Sequence, residues 1–445
     1  MATTAPERPG LRTRLNGLRQ STSVRRLVSC LLVALLAAVV TGPPGQNNAL
    51  VSGFSGSLLH PRVFAFLALG LVLWGLFEGG SRFRGQVDRA KSGLSGVRRK
   101  LLGDRKRRMA AYGALLLIAV VYPRTLSTYW QQVLVSQIGI YVLLAMGLNI
   151  VVGFAGLLDL GYIAFFAIGA YSTAYWSGSL PVHPPIHLNP FWILPLAVLA
   201  AMIAGVVLGA PTLRLRGDYL AIVTLGFGEI IQIVAVNMTS VTGGSAGVVG
   251  VPHFAINLFG IHYLWGLDSL PYYYLLLVFV VVAFGAFHLL ENSKVGRAWT
   301  AIREDEVAAE ASGINALKYK ILAFAIGAST SGLAGVLFAS KNNFMDPLSF
   351  SFTNSVLVLV LVIFGGMGGL IGPMVGAAVL QWAPQFLRGR IPPTDLFIYF
   401  GALLVVLMIF RPQGLIPSRR RQRELRLAEE GVISGDGLAP PGGVP

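Results

Sequence analysis

From Met109 to Leu290, 182 consecutive residues carry only seven charged side chains, and the 90 from Ile321 to Phe410 carry only five. Stretches this long and this poor in charge leave few ways to fold. Their apolar runs approach or exceed the roughly 20 residues that a membrane-spanning helix needs. Backbone groups in hydrocarbon must then satisfy one another internally. Composition agrees: 12% of residues are charged and mean hydropathy is +0.68, against about 25% charged in soluble domains. The fold class expected is an all-α polytopic membrane protein built as one large bundle.

Between the two apolar stretches lies a dense polar island. Glu291 to Lys320 holds ten charged residues, most of them in GRAWTAIREDEVAAEASGIN from Gly296 to Asn315. Polar groups unsatisfied in hydrocarbon cost several kcal/mol, so this segment belongs at a membrane surface. Arg297 to Ser312 reads as one short amphipathic helix. Trp299, Ile302, Val307 and the alanines form its apolar side, and Arg303, Glu304, Asp305, Glu306 and Glu310 its charged side. Gly313 is well placed as the residue that ends it. From pattern alone, the island is either a contact point for a soluble partner or a solvated loop helix.

Candidate spans fall near 27–41, 58–77, 109–123, 130–152, 160–178, 191–212, 218–239, 271–290, 320–340, 352–371, 373–387 and 394–411, some short enough to be half-helices. Basic residues test that count. Six arginines precede the first span, eleven Lys/Arg occupy 81–108, and Arg214, Arg216 and the arginines from 419 to 426 mark two further loops or tails. Twelve crossings put all of them, and the island, on one side, which is the cytoplasmic side by the positive-inside rule. Arg388 and Arg390 run against that trend. The +16 net charge therefore reads as topology and attraction to the lipid surface, not nucleic-acid binding. Residues 1–108 read as an N-terminal extension with two candidate spans and a basic loop, 109–417 as the core, and 418–445 as a Gly/Pro-containing disordered tail.

No constellation points to covalent chemistry. His183 and His187 in VHPPIH are held off a helix by Pro184 and Pro185 and lack a third metal ligand. No lysine follows a glycine, so no phosphate-cradling Gly-Lys pair exists, and any ATPase must be another chain. Three polar residues inside apolar runs stand out. Glu229, in the middle of its span, either lines a pathway or packs with Thr224 and Gln232 nearby. Asp159 either caps the following helix or sits at a broken helix end facing a zwitterionic substrate. Asn149 has similar status. Glycine-dense segments at 147–169 and 365–376 mark broken or tightly packed helices, and the loop 240–252 reads as flexible and exposed.

REDEVAAEASGIN, followed by KYKILAFAIGASTSGLAGVLFA, resembles the cytoplasmic loop and following span of permease subunits of branched-chain amino acid ABC importers, M type. GLNIVVGFAGLLDLGYIAFFAIGAY at 147–171, GDYLAIVTLGFGEIIQI at 217–233, VIFGGMGGLIGPMVGA and RPQGLIP at 411–417 agree. The resemblance covers roughly 125–417. It implies a transporter subunit of the bacterial cytoplasmic membrane with both termini cytoplasmic. It implies no cofactor in this chain, with ATP and Mg held by two partner ATPases. A homologous permease, an extracytoplasmic substrate-binding protein and membrane lipid complete the partners, with no nucleic acid. It also implies that Arg303, Glu304, Asp305, Glu306, Ala308, Ala309, Glu310 and Gly313 form the ATPase-coupling segment, and that Asn149, Asp159 and Glu229 belong to the translocation pathway. The family pattern is Glu-Ala-Ala, three residues, Gly. This chain has Val307-Ala308-Ala309 there, with the Glu absent from its slot, and Glu306 or Glu310 could substitute for it. Two alternatives stand beside this reading: a urea or short-chain amide importer permease, and a stand-alone secondary transporter or channel using Glu229 and Asp159.

Overall fold

The computed structural model of the protein describes residues 113, 117–213, 218–258, 261–387 and 414–416. The chain divides into two compact units, Met1–Ile118 and Ala119–Pro445, and the architecture below belongs to the second. The expected spans at 27–41, 58–77 and 394–411 lie outside the described residues. So do Arg214, Arg216, Arg388, Arg390 and the 418–445 tail.

Nine expected positions remain; in one, 109–123, the described residues 117–121 are helical and run into a 3-10 turn at Tyr122–Thr125. Eight apolar helices occupy the other eight. They are α1 (Thr128–Phe154), α2 (Ile163–Trp176), α3 (Pro190–Thr212), α4 (Asp218–Asn237), α5 (Ser269–Glu291), α8 (Ala316–Asn342), α9 (Phe352–Gly365) and α10 (Ile371–Leu387). The island supplies α6 (Lys294–Glu304) and α7 (Glu306–Ala311). Five of these, α1, α3, α4, α5 and α8, are long and apolar enough to cross a membrane. At 14 residues each, α2 and α9 reach only about 21 Å at 1.5 Å per residue, short of the ~30 Å hydrocarbon core.

The sequence explains both short helices. Residues 155–162 form an irregular loop where the 160–178 run is expected to begin its helix. Their polar groups are held by tertiary partners instead: Leu160 N–H donates to Thr224 Oγ1 at 3.1 Å, and Ser355 Oγ donates to the Leu160 carbonyl at 2.6 Å. The 352–371 run ends early, at Gly365, because Gly366 and Gly368 take φ of 109° and 79°, a region L side chains avoid.

The bundle is organised around α8. Its Gly/Ala-rich sequence lets neighbouring backbones approach where lipid offers no hydrophobic drive between helices. A Cβ on Gly169 of α2 would lie 2.2 Å from the Gly332 carbonyl, and one on Gly335 would lie 2.3 Å from that of Phe166. Gly205 of α3 would meet Ala328 at 2.7 Å. With α1, α8 forms the buried interior, whereas α3, α4 and α5 lie at the periphery and expose Ile203, Val207, Ile222, Ile230, Ile233 and Val282. Gly169→Val should therefore force α2 and α8 apart. The expected result is membrane-inserted protein that no longer elutes from detergent as a single sharp species on fluorescence-detected gel filtration; an unchanged peak would refute this packing.

At the end opposite the island, short strands close the bundle. β1 (Val248–Val249) pairs antiparallel with β4 (Phe344–Met345), and β2 (Ala255–Leu258) with β3 (Ile261–Leu264). The 240–252 loop is consequently pinned, contrary to the flexible segment its glycines suggest. Gly250 N–H donates to the Asn343 carbonyl and Asn343 Nδ2 to the Val251 carbonyl, both at 2.9 Å, while Val248 and Val251 are buried.

Candidate functional site

The island folds as two helices, not the single one expected over Arg297–Ser312. Asp305 breaks it with extended backbone (φ −154°, ψ 109°). It ends α6 and caps α7 through its own carboxylate, which accepts from Ala308 N–H at 3.0 Å; a short acid that hydrogen-bonds backbone favours this cap over a helix interior. At the far end Ile314 N–H donates to the Ala309 carbonyl and Gly313 N–H to that of Glu310, with Gly313 at φ +85°. This is the expected stop at Gly313, formed as a Schellman motif.

The block is bolted to the bundle by its apolar side. Trp299 is 0% exposed, and its indole Nε1 donates to the Tyr319 carbonyl at 2.7 Å. Gly296 lies so close to the end of α5 that a Cβ would sit 2.5 Å from the Leu290 carbonyl. Ile302, Ala309 and Ala316 form a small core of their own beneath the α6–α7 bend, with Ile314 and Tyr319 packed on it.

The acids divide by role. Glu306 turns inward to the ammonium of Lys320, 2.5 Å away, a lysine only 6% exposed. Asp305 is spent on the cap. Glu310 is exposed, and among the described residues nothing pairs with it. Val307, in the slot where the family pattern has Glu, is 64% exposed, and Ala308 lies on the same outer surface while Ala309 is buried. Arg303 donates from Nη1 to the carbonyl of Gly153, at the end of α1. Its outer neighbour Glu304 is exposed. The Glu306–Lys320 pair joins residues 14 apart across a helix break, so no i,i+4 rule on the sequence could have located it.

The two glycine-dense segments meet. The last turn of α1, Asn149–Phe154, is a wide π turn, with Ala155 N–H bonded back to Ile150 O at 3.0 Å. Asn149, fully buried, faces the α9–α10 turn: its Nδ2 donates to Gly369 O at 3.0 Å and its Oδ1 accepts from Gly368 N–H at 3.1 Å. Asp159 is also fully buried, but it does not cap α2, which begins at Ile163. Its Oδ1 accepts from Gly161 N–H at 2.9 Å, turning the chain just before the helix, and its Oδ2 has no hydrogen-bond partner among the described residues. Glu229 stands apart, half-buried on the peripheral α4. Thr224 is committed to the loop at Leu160 and does not pair with it.

Residues 132–410 match the family described as branched-chain amino acid transport system / permease component. The chain belongs to this family. The matched region of the permease takes in the α6–α7 block and both glycine breaks. The high-affinity branched-chain amino acid transport system permease protein LivM of Salmonella typhimurium is 39% identical over 332 residues, covering 70% of this chain and 76% of that protein. LivM of Escherichia coli shows the same identity and coverage. The ribose import permease protein RbsC of Haemophilus influenzae is 25% identical over 284 residues, covering 62% and 81%. No solved structure matches the chain. The permease is thus a multi-pass protein of the inner membrane, and its role is transport.

Proposed function

We propose that the permease carries branched-chain amino acids into the bacterial cytoplasm as the transmembrane subunit of an ATP-driven importer. The observation that carries this reading is the α6–α7 block, whose outer face presents Val307, Ala308 and Glu310 while its inner face is anchored by Trp299. Such a block suits docking onto one of two separate ATPase chains, which bind ATP and Mg; the chain itself needs no cofactor. The names of the LivM relatives support the substrate class. The positive-inside rule places the island end, and both termini, in the cytoplasm. The pinned strands at the opposite end then face the extracytoplasmic binding protein. A homologous permease covers the peripheral face of α4, because an ionisable side chain left toward lipid costs at least about 2.5–3.5 kcal/mol at mid-span.

Glu229 lies on that face, where it lines the path between the two permeases. Glu229→Gln should slow uptake roughly tenfold, the loss of about one charge-assisted hydrogen bond, with complex assembly intact. Unchanged uptake would assign Glu229 to packing. The substrate class is tested by uptake of labelled leucine into proteoliposomes holding the assembled complex, with valine, isoleucine, urea or ribose as competitors. Competition by valine and isoleucine is expected; competition by urea or ribose alone would overturn the assignment.

A further inference from the structure

Three contacts join the α6–α7 block to a turn on the far side of the sequence. Arg303 reaches from α6 to the carbonyl of Gly153, in the π turn that ends α1. Its stem lies flat on Gly156, where a Cβ would stand 2.7 Å from Arg303 Cγ. In the same π turn, Asn149 clasps both the N–H of Gly368 and the carbonyl of Gly369. Gly153 makes room for that clasp, since a Cβ there would lie 2.0 Å from Asn149 Oδ1 and 2.8 Å from Gly368 N. The turn is held from its other side too, where Leu415 N–H donates to Phe364 O and Ile416 N–H to Gly365 O.

We propose that Arg303 and Asn149 are positioning residues that carry displacement of the α6–α7 block to the α9–α10 turn, making the two short helices α9 and α10 the moving gate. The physical argument is continuity through specific polar links: guanidinium to backbone carbonyl, backbone within one turn, carboxamide to two backbone groups. A π turn inside a helix is rare and frequently marks a functional site, and the glycines at 153, 156, 368 and 369 leave no side chains there to resist sliding. This inference rests on the reading that α6–α7 docks an ATPase.

The test compares the assembled importer in proteoliposomes carrying Arg303→Met, Arg303→Lys, Asn149→Leu, or Arg303→Met with Asn149→Leu. ATP hydrolysis and leucine uptake are measured together. Each single apolar variant is expected to lower uptake per ATP hydrolysed at least tenfold while hydrolysis persists. Arg303→Lys, which still donates to the Gly153 carbonyl, should recover most of it, and the double variant should be no worse than either single one, because both break the same chain. Additive losses, or an unchanged ratio in Arg303→Met, would overturn the proposal. Should Asn149→Leu fail to assemble, hydrogen exchange decides: faster exchange at the Gly368 amide in Arg303→Met supports the linkage, and unchanged exchange refutes it. A wild-type importer that shows no ATP-driven uptake would instead sink the functional reading and leave this exchange measurement standing.

Discussion

Trp299→Ala is expected to release the α6–α7 block from the bundle while leaving the membrane helices inserted. The indole is fully buried and its N–H is bonded to the Tyr319 carbonyl. Truncating a buried tryptophan costs about 3–5 kcal/mol through lost contacts and the cavity left behind. That loss falls on a small substructure: apart from Trp299, the block is held mainly by the Ile302–Ala309–Ala316 cluster, the Arg303 contact and the Glu306–Lys320 pair. A penalty of that size exceeds what such a satellite can absorb, so local opening should outrun global unfolding. Limited proteolysis should cut the variant between 304 and 313 at a protease dose that spares the wild type, and ATP-coupled uptake should vanish. Trp299→Phe should retain part of both. Uptake at the wild-type rate in Trp299→Ala would show that docking of the block does not matter.

Glu310→Lys is expected to abolish ATP-coupled uptake for a different reason, with stability changed by no more than about 0.5 kcal/mol. Glu310 is exposed on the last turn of α7, where a cation is, if anything, favoured by the helix dipole. The fold has no use for the carboxylate, so its reversal acts only on whatever docks there. Glu306→Gln makes the contrasting case. It removes the partner of a nearly buried lysine and should destabilise by about 1–3 kcal/mol, while leaving the outer face unaltered. Pull-down of the ATPase separates the two: Glu310→Lys should lose it and Glu306→Gln should keep it. The opposite pattern would mean that Glu306 is the docking acid after all.

Much of this arrangement was legible in the chain. Charge spacing located the island, apolar run lengths located the helices, and Gly313 gave the stop. What escaped depended on partners distant in sequence. The break at Asp305 is invisible to helix propensity, because an aspartate suits a cap as well as it tolerates a helix surface, and the packing of Ile302 against Ala309 and Ala316 adds to the cap in favouring the bend. Asn149 reads as one polar residue in an apolar run until the turn at Gly368 and Gly369, some 220 positions away, is brought against it. Asp159 shows the reverse error. Its position before a span suggested a helix cap, yet the helix starts four residues later and the loop is fastened instead by Thr224 and Ser355. The glycines of 240–252 suggested a flexible loop, but they serve turns that bring Val248 and Val251 under the strand pair.

The central question is whether this permease works only when an ATPase drives it. The decisive measurement is uptake of labelled leucine into sealed proteoliposomes, comparing the permease alone with the permease assembled with its partner permease, ATPases and binding protein, with and without ATP. Uptake confined to the full assembly with ATP is the predicted result. Accumulation by the permease alone, driven by a proton or sodium gradient and indifferent to ATP, would contradict it.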